Sequence, residues 1–134
     1  MAGITLSGRV ASGRGHGTLF TGLPWVRKAF LSLLGIDPFP GTLNLKIEDV
    51  DALQWETLRA GPGIVVLPPP DSEFCRARCY RVQLAGDVRA AIVYPEVPDY
   101  PDDQLELIAP VSLRETLNLA DGDRLELEVT EDEV

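Results

Sequence analysis

With 134 residues, 45% of them hydrophobic, the chain can bury one sizeable core and is most simply a single domain over residues 1–134. Twelve basic residues against 21 acidic ones give a net charge of −9, which argues against general binding to nucleic acid or anionic membranes, since both rest on basic surface. No apolar run approaches bilayer length and the start Met1-Ala2-Gly3-Ile4-Thr5 lacks a basic segment followed by a hydrophobic one, so the expectation is a cytoplasmic protein, neither membrane-bound nor secreted.

Ile4 to Val10 reads as a first strand. It leads into Ser12-Gly13-Arg14-Gly15-His16-Gly17-Thr18, three glycines at alternate positions. Glycine lets backbone amides close around an anion, the chemistry of a phosphate-cradling loop. The spacing matches neither a Walker loop nor a dinucleotide fingerprint, and a flexible glycine-rich turn fits it equally well. Leu23 to Leu34 reads as a helix, with Val26, Phe30, Leu33 and Leu34 at helical spacing, Pro24 near its start and Gly35 as its stop.

In Pro38-Phe39-Pro40-Gly41-Thr42-Leu43-Asn44-Leu45 the prolines fix φ, Gly41 permits a turn, and Leu43, Leu45 and Ile47 alternate with polar residues as in a half-buried strand. Thr42 and Asn44 therefore share a face. A hydroxyl and an amide carbonyl are hard, neutral ligands of the kind magnesium accepts beside water and phosphate. The same pattern also fits a plain turn entering a strand. Glu48 to Ser72, with Pro62, Pro68, Pro69 and Pro70, reads as an irregular connection around a short strand at Ile64 to Leu67.

Arg76 to Leu84 and Val88 to Tyr94, joined at Ala85-Gly86-Asp87, form an expected hairpin. Strands at Leu105 to Ile108 and Arg124 to Val129 complete a mainly β domain, with a short helix at Leu113 to Leu117 and a tight turn at Asp121-Gly122-Asp123. Cys75 and Cys79 stand four apart on one expected strand, too far to bridge, and read as reduced thiols. With one histidine and no further cysteine, a zinc site lacks ligands. Residues 130–134 form an acidic, solvated end.

Taken together, the alternating-glycine loop, Pro38-x-x-Gly41-Thr42-Leu43-Asn44, Glu106-x-Ile108-Ala109-Pro110-x-x-Leu113-Arg114 and Asp121-Gly122-Asp123 occur in the order that marks the archaeal-type CTP-dependent riboflavin kinases. The chain resembles that family from about Leu6 to Val129. The resemblance implies a single compact six-stranded cradle-loop β-barrel with one longer and one short helix. It also implies transfer of the γ-phosphate of CTP to the 5′-hydroxyl of riboflavin, giving FMN and CDP, with Mg²⁺ as cofactor. Many relatives carry an N-terminal DNA-binding module, which is not expected here. Partners would be the two small-molecule substrates, with the protein a monomer or weak oligomer.

Residue roles follow from the same resemblance. Arg14, Gly15, His16, Gly17, Thr18 and Leu19 would wrap the nucleotide, and Ser112, Leu113, Arg114 and Glu115 would close on it. For Arg114 the alternative is a helix-surface salt bridge. Thr42 and Asn44 would hold Mg²⁺. Glu106 would contact the flavin and orient its hydroxyl, since phosphoryl transfer depends mainly on alignment and charge neutralisation and does not require a dedicated base. The chain departs from the family at Val97-Pro98-Asp99, where relatives carry an Arg-Thr-His-like stretch whose threonine touches the flavin. Pro98 offers no hydroxyl, so a kinase for a different small alcohol, or a non-catalytic flavin- or nucleotide-binding barrel, stands as the alternative.

Overall fold

The computed structural model describes residues 4–12, 21–70, 76–98 and 100–130. Its strands are β1 (Ile4–Ala11), β2 (Leu43–Ile47), β3 (Ile64–Val66), β4 (Ala77–Leu84), β5 (Val88–Pro95), β6 (Gln104–Ile108) and β7 (Arg124–Val129). Three α-helices interrupt them: α1 (Pro24–Leu34), α2 (Ala52–Ala60) and α3 (Leu113–Thr116). The strands form one sheet in the order β3-β4-β5-β6-β2-β1-β7, and β4 also pairs with β7. That pairing closes six strands into a barrel and leaves β3 as an extra strand outside it. Every ladder is antiparallel.

Period-two patterning decides which side chains fill the barrel. On β7, Leu125, Leu127 and Val129 are buried while Arg124, Glu126 and Glu128 are exposed. Leu6, Leu45, Leu105, Leu107 and Ile92 join Leu127 in this interior. A second core lies between α1 and the outside of the sheet. There Val26, Phe30 and Leu34 pack with Ala77, Cys79, Ala91, Val93 and Ile108, and complete burial of a side chain such as Phe30 contributes roughly 1.5–3 kcal/mol. Two cores explain why Ala90, Ala91, Ile92 and Val93 on β5 are all buried. Burial also pushes the Cys79 thiol up to about 12.

Several expectations need correction. The expected irregular connection after Glu48 contains α2, preceded by a single 3₁₀ turn at Asp49–Asp51. Ala, Leu, Gln, Glu and Arg give α2 good intrinsic propensity, yet only Trp55 is buried on it, so it shows no apolar stripe for periodicity to detect. The domain thus has three α-helices among the described residues, not one longer and one short. Leu33 is 41% exposed, because Val26, Phe30 and Leu34 already fill the stripe facing the sheet. Cys75 lies outside the described residues, and β4 begins only at Ala77. No helix among the described residues is long and apolar enough to cross a membrane.

Candidate functional site

The Pro38-to-Gly41 lead-in is tied down at two points. Phe39 N donates to Ala109 O at 2.8 Å, and Gly41 N donates to Oγ1 of the buried Thr21 at 2.8 Å. Gly41 has φ +105°, a conformation that a side chain would strain. Beyond this turn the β2 alternation sends Leu43 and Leu45 inward and leaves Thr42 and Asn44 on the opposite face, as the sequence pattern indicates.

The β2–β6 register sets Asn44 directly across from Glu106. Thr42 Oγ1 donates to Glu106 Oε1 at 2.8 Å, and Tyr100 donates its hydroxyl to Glu106 Oε2 at 2.9 Å. Gln104 Nε2 donates to Asn44 Oδ1 at 3.1 Å. Thr42, Asn44 and Glu106, nominated separately from two distant motifs, therefore form one half-buried cluster.

A cleft of about 250 Å³ opens beside it, lined by Gly41, Thr42, Leu107, Ser112, Leu113 and Arg114 among others. Glu106 and Asn44 do not line this cleft; they meet it through Thr42. Ser112 caps α3, its Oγ accepting from Glu115 N at 3.3 Å. Glu115 itself is exposed and is not among the residues that line the cleft. A second cleft of about 350 Å³ shares Phe39 and Pro40 with the first and is bordered by Thr21 and by the ion-paired Arg27 and Asp37. A further cleft, about 580 Å³ near Leu117 and Arg124, contains none of the nominated residues.

Arg114 Nη2 pairs with Asp121 Oδ1 at 2.8 Å, so the surface salt bridge weighed for it does form. A guanidinium carries five donor hydrogens, so this pairing orients Arg114 without exhausting it. Ser12 also donates to Asp121. These two bonds, the Ser12 hydroxyl first and Arg114 second, hold the Asp121 carboxyl below its usual range. Residues 13–20, which include Arg14, Gly15, His16, Gly17, Thr18 and Leu19, lie outside the described residues. Both flanks of that segment are anchored at the cleft, Ser12 through Asp121 to Arg114 and Thr21 through Gly41 to Thr42.

Pro98 is exposed, in a turn closed by Tyr100 N donating to Val97 O at 3.2 Å. The hydroxyl that meets Glu106 comes from Tyr100, two residues on. Sequence reasoning assigned no role to Tyr100, Gln104, Ser12 or Asp121. Gln104 was accessible in principle, because it stands two residues before Glu106 and so on the same face of β6. Among the described residues no group of three or more His, Cys, Asp or Glu side chains is placed to hold a metal. Thr42 and Asn44 offer two neutral oxygens beside one carboxylate, a donor set that suits a hard divalent cation whose remaining ligands are phosphate and water.

Residues 10–129 match the family model CTP-dep_RFKase, described as domain of unknown function DUF120. The chain is similar to the riboflavin kinase of Pyrobaculum islandicum, with 42% identity over 130 residues that cover 94% of this chain and 60% of that protein. It is 40% identical over 124 residues to the riboflavin kinase of Methanosarcina barkeri, covering 91% and 55%. Against the riboflavin kinase of Archaeoglobus fulgidus the identity is 38% over 128 residues, covering 94% and 54%. The chain thus spans between 54% and 60% of the length of these three relatives. Since the family match takes in all of the barrel except Ile4 to Arg9 of β1, together with the Thr42–Glu106 cluster and the α3 cleft, the chain belongs to the CTP-dependent riboflavin kinase domain family.

Proposed function

We propose that this domain transfers the γ-phosphate of CTP to the 5′-hydroxyl of riboflavin, yielding CDP and FMN, with Mg²⁺ as cofactor. The observation that carries the reading is the meeting of Thr42, Asn44 and Glu106 across the β2–β6 ladder, beside a cleft that Ser112 to Arg114 close from the other side. Donor and acceptor halves then lie on one rim of the barrel. Alignment of this kind is the main task in phosphoryl transfer.

In this mechanism the triphosphate sits in the α3 cleft, bounded by the lead-in to β2 and by Arg114. Arg114, held by Asp121, supplies positive charge near the phosphates. Arg14, Gly15, His16, Gly17, Thr18 and Leu19 would supply the remaining contacts to the nucleotide, backbone amides of the glycines among them. Thr42 donates a hydrogen bond to Glu106, which leaves its oxygen lone pairs free; with the Asn44 carbonyl it would hold Mg²⁺. That cation, when bound, neutralises phosphate charge. Glu106 keeps lone pairs beyond those used by Thr42 and Tyr100 and would accept a hydrogen bond from the acceptor hydroxyl, orienting its oxygen toward phosphorus.

The exposed Pro98, which offers no hydroxyl, favours one second reading, in which the same donor half phosphorylates a different small alcohol. Thr42→Ala and Asn44→Ala separate metal-dependent catalysis from passive binding. Each is expected to reduce FMN formation with CTP and Mg²⁺ at least about tenfold. Unchanged turnover in both removes the metal assignment, and turnover only with another alcohol selects the second reading.

A further inference from the structure

We propose that Tyr100 is a positioning residue of the acceptor side, its hydroxyl acting with that of Thr42 to fix the Glu106 carboxylate in one orientation. The inference rests on the phosphotransfer reading above and gives Tyr100 a role through its contact with Glu106. The two Glu106 oxygens are held separately, Oε1 by Thr42 at 2.8 Å and Oε2 by Tyr100 at 2.9 Å. A glutamate side chain otherwise has considerable rotamer freedom. Two hydroxyl donors on opposite oxygens remove it and leave the remaining lone pairs for an incoming alcohol.

Tyr100 is itself braced. Its ring stands edge-on to Tyr94 with centroids 5.4 Å apart, and Tyr94 stands edge-on to Trp55 at 5.6 Å. Trp55 is buried, and its Nε1 donates to Asp102 O at 2.9 Å. The Arg59 guanidinium lies over both Trp55 and Tyr94, 5.4 and 5.6 Å from their centroids. Such edge-on pairs contribute beyond burial alone, so the hydroxyl is presented by a fixed stack that begins on α2. Burial first, and the Glu106 charge second, push the Tyr100 phenol upward. It therefore stays protonated, and a donor, throughout the working pH range.

Tyr100→Phe keeps the ring and removes only the hydroxyl. The experiment measures kcat, the KM for CTP and riboflavin affinity by flavin fluorescence without nucleotide, for Tyr100→Phe, Glu106→Gln and the double variant. We expect Tyr100→Phe to lower kcat about tenfold and to weaken riboflavin binding about fivefold, with the CTP KM within about twofold of wild type, as loss of a hydrogen bond to a charged group on the acceptor side predicts. In the Glu106→Gln background the same change should add less than about twofold, because both residues act through one carboxylate. Losses that multiply, or a Tyr100→Phe enzyme equal to an active wild type in both readouts, overturn the positioning role alone. A wild type that forms no FMN overturns the phosphotransfer reading and this role with it.

Discussion

Gly8→Ala tests the packing that carries the site. Gly8 lies on β1 between Ile47 of β2 and Leu125 of β7. A Cβ there would meet Lys46 O at 2.5 Å and Leu45 Cγ at 2.8 Å. Lys46 O is backbone in a paired strand and cannot rotate away, so reaching ordinary contact at 3.4 Å requires a retreat of about 0.9 Å. Overpacking of this kind costs typically about 1–3 kcal/mol, and the reduced chain entropy of alanine in the unfolded state returns about 0.4–1 kcal/mol. With backbone as the obstacle, a net loss of about 2 kcal/mol follows. For a chain of this length the unfolding entropy is about 0.28 kcal/mol/K, so Tm should fall by about 7 °C. Gly61→Ala is the control, since its Cβ would meet only Leu58 O at 3.7 Å and Thr57 O at 3.9 Å, with φ −91°. Thermal unfolding followed by circular dichroism measures both. A Gly8→Ala Tm within 2 °C of Gly61→Ala, allowing roughly that error, refutes the reasoning.

Two further outcomes follow from charge and burial. The Asp121 carboxyl is depressed by Ser12 and Arg114, so its stabilising effect is present above the unfolded value of about 3.9 and is lost as pH falls through the lower folded value. Asp121→Asn should therefore lower Tm at pH 7, with the difference from wild type closing below about pH 4; an equal difference at pH 7 and pH 2.5 contradicts this. Cys79, fully buried with its thiol raised to about 12, should resist a thiol reagent at pH 8 in a Cys75→Ser background and react once the chain is denatured; reaction in the folded protein contradicts the packing under α1.

What the sequence made legible was set by how local the deciding physics is. Alternation of Leu125, Leu127 and Val129 with charged neighbours marks a barrel strand by itself, and Thr42 with Asn44 shares a face by strand parity alone. Pro24 and Gly35 likewise mark the limits of α1. By contrast α2 buries only Trp55, so its helical state follows from propensity and from one tertiary pocket that no local pattern reports. The partner of Arg114 is seven residues away in a turn, and the geometry of that turn decides whether they meet. Tyr100 was the least accessible. Its contact with Glu106 depends on a turn at Val97 and on a stack reaching back to α2, both properties of the assembled fold. The family order of motifs supplied the chemistry, and the β2–β6 register supplied the reason why the motifs meet.

The central claim is that this barrel aligns a nucleoside triphosphate with a flavin alcohol along the rim formed by Thr42, Glu106 and the α3 cleft. Incubation of the chain with γ-labelled CTP, riboflavin and Mg²⁺ tests it most directly. Label appearing in FMN, with CDP formed in equal amount and chelation of the metal abolishing transfer, is the predicted result. No labelled FMN at enzyme concentrations equal to substrate contradicts the account.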